Sequence, residues 1–217
     1  MKRVAVILSG CGVFDGAEIY ESVLTLLHLD KANVHYQCFA PDIPQQHVIN
    51  HLSGEVVEGE TRQVLVEAAR IARGDIKSLS ALREGDFDAL IFPGGFGAAK
   101  NLCSFATEGQ AMQVQPEVLE VCQRFAKATK PVGLICIAPV LAAKIYGDKV
   151  KCTIGHDTAT AEAINAMGAQ HVPCNVDDVV IDEQHKLVTT PAYMLAQRIN
   201  EASAGIEKLV HAVLALC

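Results

Sequence analysis

A doubly wound α/β fold, with a mostly parallel sheet covered by helices on both faces, is what the sequence predicts, and three observations predict it. Short runs rich in β-branched residues recur at 4–8, 34–39, 89–92 and 132–136. They are apolar at nearly every position instead of alternating, as strands buried on both faces must be. Segments with helical periodicity separate them, and that order of elements favours parallel pairing. Near the end, residues 179–181 and 187–190 flank the polar stretch Asp182-Glu183-Gln184-His185-Lys186, which reads as a late antiparallel hairpin at a mixed edge of the sheet.

Each element has its own warrant. Met1-Lys2-Arg3 ahead of the first apolar run has the charge pattern of a secretory leader, but Ser9-Gly10 ends the run after five residues and no cleavage site follows. The run is therefore read as the first strand. Helices are expected at 17–29, 62–73, 116–128, 140–146, 160–167 and 202–216. In the second of these the apolar set is Val64, Leu65, Ala68, Ala69 and Ile71, with Gly74 closing it, and Gly168 caps the fifth. No internal repeat, Ser/Gly linker or shift in composition divides the chain, so residues 1–217 are read as one domain.

A chain of 217 residues can bury a substantial core without metal or disulfide staples. With 50% hydrophobic and 20% charged residues, 16 Gly and 8 Pro, composition excludes intrinsic disorder, collagen and low-complexity architectures. Eighteen basic against 25 acidic residues give a net charge of -7 with no basic block, so nucleic acid is not an expected partner. No window of 18 apolar residues occurs, which points to a soluble protein without a membrane partner. The eight cysteines have no pair closer than 14 residues, matching neither a disulfide framework nor a zinc motif. Free thiols in a reducing cytoplasm are expected.

The strongest local signal is Lys130-Pro131-Val132-Gly133-Leu134-Ile135-Cys136-Ile137-Ala138-Pro139-Val140-Leu141. A hydrophobic strand runs into Cys136 and a helix begins within a few residues, with Pro139 suited to a first helical position. Such a corner lifts a side chain onto the carboxyl edge of the sheet, beside backbone N–H groups and a helix N-terminus that favours a thiolate. An inert buried cysteine would show the same segment. Phe92-Pro93-Gly94-Gly95-Phe96-Gly97-Ala98-Ala99-Lys100-Asn101-Leu102 follows another strand, and consecutive glycines there let the backbone approach a ligand. A tight turn explains a Gly pair equally well; beside a cysteine elbow, it makes an oxyanion hole plausible.

The Pro-Gly-Gly loop, the cysteine 41 residues after Gly95, and Ala17-Glu18-Ile19-Tyr20-Glu21 at the start of the first helix resemble one known group. This is the class I glutamine-amidotransferase-like superfamily, which has a flavodoxin-like fold, in its Parkinson-disease deglycase and PfpI-protease branch. Ser9-Gly10-Cys11-Gly12-Val13-Phe14-Asp15-Gly16 and His47-Val48-Ile49-Asn50-His51 are similar to the ElbB-like members, described as enhancing lycopene biosynthesis or as isoprenoid biosynthesis proteins with an amidotransferase-like domain. The resemblance spans nearly the whole chain. It implies Cys136 as nucleophile, Glu21 as its acidic partner with Glu18 as fallback, and His156 in a supporting role. Backbone amides of Gly95 and Ile137, with Gly94 beside them, are implied as oxyanion donors. Helix-dipole acids and a surface histidine are the plain alternatives for Glu18, Glu21 and His156.

Departures from the group's pattern narrow the function. Peptidase members carry His after the nucleophile, where this chain has Ile137, so the base for peptide-bond attack is missing. Glutaminase domains use a late His-x-Glu pair, which neither His185 nor His211 supplies. The pattern Gly10-x-Gly12-x-x-x-Gly16 has the wrong spacing for a dinucleotide, and His47 and His51, although placed to share a helical face, lack a third metal ligand. No cofactor and no metal are expected. The resemblance implies a cofactor-independent lyase of the glyoxalase III type, acting on small 2-oxoaldehydes, glyoxal to glycolate above all, and through the same chemistry on early glycated proteins. A homodimer is also implied. The alternative is a redox-sensing or regulatory protein linked to isoprenoid biosynthesis, in which Cys136 is oxidised and a partner reads the change.

Overall fold

The computed structural model describes residues 1–217. In chain order the elements are β1 (Arg3–Ile7), α1 (Ile19–Lys31), β2 (His35–Ala40), α2 (Val64–Ile71), β3 (Ile76–Ser78), β4 (Ala89–Phe92), α3 (Phe96–Lys100), α4 (Phe105–Glu108) and α5 (Pro116–Lys127). There follow β5 (Val132–Ile135), α6 (Ala142–Tyr146), β6 (Lys151–Cys152), α7 (Thr158–Ala166), β7 (Gln170–His171), β8 (Val180–Asp182), β9 (Leu187–Thr190) and α8 (Ile199–Ala215).

The apolar runs pair as the burial of both faces demands. The main sheet has the order β3-β2-β1-β4-β5-β9-β8, parallel throughout except for β8, which pairs with β9 as the expected hairpin. Within each strand successive side chains enter opposite cores. Val4, Val6, Ala89, Ile91, Ile135 and Val188 join the cluster under α1, α2 and α8. Ala5, Ile7, Leu90, Phe92, Val132, Leu134 and Leu187 join the cluster under α5 and α6. Phe39, Phe92 and Phe125 are fully buried, each contributing roughly 1.5–3 kcal/mol of hydrophobic stabilisation. β6 and β7 form a separate two-stranded parallel pair. No helix is long and apolar enough to cross a membrane.

Chain order reverses between β1 and β4: β2 and β3 extend one way from this point, β5 and β9 the other. A crevice opens at the carboxyl ends of strands at such a switch point. The loop after β1, the loop after β4 and the corner after β5 all arrive there. Asn101, at the end of α3, ties the loop after β1 to the segment after β2, its Nδ2 donating to the carbonyls of Ser9 and Asp15 (both 2.9 Å) while its Oδ1 accepts from the Gln46 amide (3.0 Å).

The structure corrects two local expectations. The stretch from His47 to His51 is a loop, not a helical face. His51 accepts from the Phe14 amide through Nε2 (3.3 Å), and the Asp15 carboxylate accepts from the Ile49 amide (2.8 Å), so both residues staple two loops together. The helix expected directly after Cys136 opens instead as a 3₁₀ turn over Ala138–Leu141, with Pro139 in it, and only then continues as α6.

Candidate active site

Cys136 follows the last residue of β5 with φ of +63°, a left-handed conformation that a side chain adopts at a cost of about 1–3 kcal/mol. Its amide is held by the carbonyl of Thr190 on the neighbouring strand (3.0 Å), so the sheet enforces the corner. The thiol is 7% exposed and opens onto a cavity of about 440 Å³ whose wall includes Glu18, Gly95, Phe96, Ile137 and Tyr193.

Glu21 lies in the first turn of α1 and is completely buried. One carboxylate oxygen, Oε2, accepts from the Gly94 amide (2.9 Å), and the other, Oε1, from the Tyr193 amide (3.1 Å). The Cys136 thiol is a neighbour of the same carboxyl and favours its ionised form. Burial, reinforced by the charge of Glu18, pushes the Glu21 carboxyl up from 4.5 to about 7, against the pull of these donors.

Burial is also the largest influence on Cys136 and pushes its thiol well above the ordinary value; the Glu21 carboxylate adds to that push. Hydrogen bonds from the amides of Gly95 and Ile137 to the sulfur oppose it. This corrects the expectation of a thiolate stabilised by a helix N-terminus, because the short 3₁₀ turn after the elbow does not outweigh burial. Thiol and carboxyl each shift the other's titration and so form a coupled pair.

Both glycines of the loop after β4 are required by close approach. A Cβ on Gly94 would lie 2.4 Å from the Cys136 Cβ and 2.8 Å from Glu21 Oε2. Gly95 has φ of +92°, and a Cβ there would meet the Glu18 amide at 2.4 Å. Neither Gly95 nor Ile137 donates its amide to a backbone carbonyl, which leaves both for the sulfur or for an oxygen bound next to it. The Gly94 amide, expected as an oxyanion donor, is committed to Glu21 instead.

Of the two glutamates, Glu21 reaches the cysteine. Glu18 caps α1, accepting from the Glu21 amide (2.6 Å), and lines the cavity; burial raises its carboxyl too. The expected supporting role of His156 is not met: its side chain is exposed and does not line the cavity. The preceding Gly155 has φ of +92°, and a Cβ there would meet the Leu195 side chain at 2.7 Å. Sequence reasoning missed Tyr193, whose amide holds Glu21, and the cavity walls from Phe105, Thr160 and Met194. Pro191 directly after an apolar run was the available sequence sign of a corner at that edge, and the structure puts left-handed Ala192 (φ +43°) in the turn that follows. No group of three or more His, Cys, Asp or Glu side chains is placed to hold a metal.

No family model matches the chain. It is 49% identical over 223 residues to a Homo sapiens protein named glutamine amidotransferase-like class 1 domain-containing protein 3, mitochondrial, covering 99% of this chain and 83% of that protein. The chain belongs to the glutamine amidotransferase-like class 1 family. Within this amidotransferase-like group, the crystal structure of an isoprenoid biosynthesis protein with amidotransferase-like domain from Ehrlichia chaffeensis superposes with a TM-score of 0.93 at 38% identity, covering 100% of this chain and 99% of that one. A DJ-1 superfamily protein from Salmonella typhimurium shares the fold, with a TM-score of 0.55 at 21% identity over 100% of this chain and 88% of its own. These findings agree with the superfamily that the motifs resemble. The expected cytoplasmic location is corrected by them: the human relative and the ES1 proteins of Rattus norvegicus and Danio rerio are all named mitochondrial. All eight cysteines are free, but free thiols mark a reducing compartment and do not single out the cytoplasm.

Proposed function

We propose that this amidotransferase-like protein is a cofactor-independent glyoxalase of the deglycase type, converting glyoxal and related 2-oxoaldehydes to 2-hydroxy acids. The observation that carries the reading is the buried Cys136–Glu21 pair, whose carboxyl is pushed up to about 7 beside a nucleophile at the end of a cavity. Glu21 as carboxylate accepts the thiol proton while sulfur attacks the aldehyde carbon and the carbonyl pair moves onto oxygen. The amides of Gly95 and Ile137 hold that oxyanion, and Glu21 returns the proton to give the hemithioacetal.

Glu21 next removes the hydrogen from the sulfur-bearing carbon, giving an enediol, and delivers a proton to the adjacent carbon. The first carbon is thereby oxidised to a thioester and the second reduced to an alcohol, so no outside oxidant or reductant is needed. Water cleaves the thioester, releasing glycolate and restoring the thiol. Early glycation adducts on proteins present related carbonyl chemistry to the same pair. The exposed face of α1, with Ile19, Tyr20, Val23 and Leu27, suits the homodimer that belongs to this proposal, and sedimentation analysis tests it.

The deciding experiment measures glycolate formed from glyoxal by the wild type and by Cys136→Ala and Glu21→Gln. Turnover falls by about a hundredfold or more in both; activity retained in the cysteine variant refutes the assignment. The redox-sensor alternative is separated by peptide mass spectrometry after mild peroxide: selective Cys136 oxidation with negligible glyoxal turnover favours the sensor.

A further inference from the structure

We propose that the cavity selects uncharged aldehydes bearing an apolar substituent, with aryl- and alkyl-substituted 2-oxoaldehydes as the preferred class, and turns away anionic carbonyl compounds. This rests on the reading of Cys136 as a nucleophile toward 2-oxoaldehydes and goes further by naming the substituent.

Size is the first argument. A cavity of about 440 Å³ falls within the range of sites that enclose ligands far larger than glyoxal, roughly 300–1,000 Å³. The reacting carbonyl must sit at the sulfur, between the amides of Gly95 and Ile137, and two carbons with two oxygens leave most of the space unfilled. What remains is walled by Val13, Phe96, Phe105 and Met194, and nine of the twelve lining residues are hydrophobic. A bulkier apolar substituent would replace water against these side chains.

Charge is the second. No Lys, Arg or His lines the cavity, and Glu18 contributes a carboxyl group to its wall. The ammonium of Lys100 lies over the Phe96 ring at 5.5 Å, but it donates to the Phe14 carbonyl and lines a neighbouring groove. A carboxylate or phosphate entering this space would lose its water and gain no cation. The amides at the elbow serve the oxygen of the reacting carbonyl and cannot also neutralise a second anionic group.

Two measurements test the proposal. The first compares kcat/KM for phenylglyoxal, read as mandelate, with that for glyoxal, and tests glyoxylate as a competitive inhibitor. Phenylglyoxal is expected to lead by about tenfold or more, without inhibition by millimolar glyoxylate; glyoxal equal or superior overturns the inference. The second needs no turnover. Cys136 labelling by iodoacetate, iodoacetamide and N-benzyl iodoacetamide is followed by peptide mass spectrometry and normalised to each reagent's rate with glutathione. Iodoacetamide is expected to outpace iodoacetate by about tenfold, and the benzyl reagent to outpace iodoacetamide by about as much. Equal normalised rates overturn the inference even if no aldehyde is consumed, a result that would separately remove the proposed function. In Ala106→Trp, which fills the exposed rim, the phenylglyoxal-to-glyoxal ratio and the benzyl advantage both shrink; ratios unchanged by it also count against the proposal.

Discussion

Replacing Glu21 by Gln removes the buried ionisable group while keeping its size, and its effect on stability reverses the usual expectation for an active-site change. Burial and the Glu18 charge raise the Glu21 carboxyl from 4.5 to about 7 in the folded protein. Below pH 4.5 both folded and unfolded chains hold this proton, and the contribution to stability is fully present. As the pH climbs toward 7 the unfolded chain releases the proton first, so the contribution is progressively lost. At about 1.4 kcal/mol for each pH unit, the loss across the interval is roughly 3 kcal/mol. The Gln side chain has one oxygen for the two amides of Gly94 and Tyr193, a pH-independent cost of about 1–3 kcal/mol. The change with pH therefore carries the information, not the offset. Urea unfolding of both proteins at about pH 5 and about pH 8 isolates it together with the response of its coupled neighbours Glu18 and Cys136, because titrations that do not depend on Glu21 cancel in the comparison. The variant should gain up to roughly 3 kcal/mol relative to wild type between those conditions. A difference between the two proteins that is independent of pH would show that Glu21 ionises as it does in the unfolded chain, and the argument for a proton carrier at neutrality would go with it.

Three further outcomes follow from the same geometry. Glyoxal turnover should rise with pH through about 7 as Glu21 ionises, and Glu18→Gln, which removes the neighbouring charge, should move that limb to lower pH; a pH–rate profile reads both. Gly94→Ala places a methyl group against Cys136 and Glu21, and should lower kcat by about a hundredfold or more, with circular dichroism reporting whether the fold persists. His156→Ala should leave kcat/KM within about twofold of wild type, because the side chain stands outside the cavity.

The central strands were legible because burial on both faces writes itself as uninterrupted apolar sequence; β4 coincides with the expected run at 89–92. β3, β6 and β7 were not, being two or three residues long and held by pairing with strands remote in sequence. α3 escaped notice because Gly95 caps it at Phe96 and two consecutive glycines in the sequence read as loop alone. At the site, Cys136 announced itself through the strand running into it. The choice of Glu21 over Glu18 needed coordinates, since one residue caps the helix and the other, nearly a turn on, points inward. His156 misled because its separation from Cys136 in sequence says nothing about which way its side chain faces, and it is exposed outside the cavity. Tyr193 contributes only its amide, a group that every residue but proline possesses and that leaves no trace in composition.

The pieces that make Cys136 chemically unusual are spread along the polypeptide: Glu21 near one end, Gly94 in the middle, Thr190 and Tyr193 close to the other. A ribosome-bound nascent chain that has not yet delivered residue 193 therefore carries an unremarkable thiol, with its carboxylate partner unanchored. The arrangement that the proposed turnover needs is complete only when synthesis is nearly finished, so splitting the chain anywhere between these positions should abolish that turnover in both fragments until they reassemble.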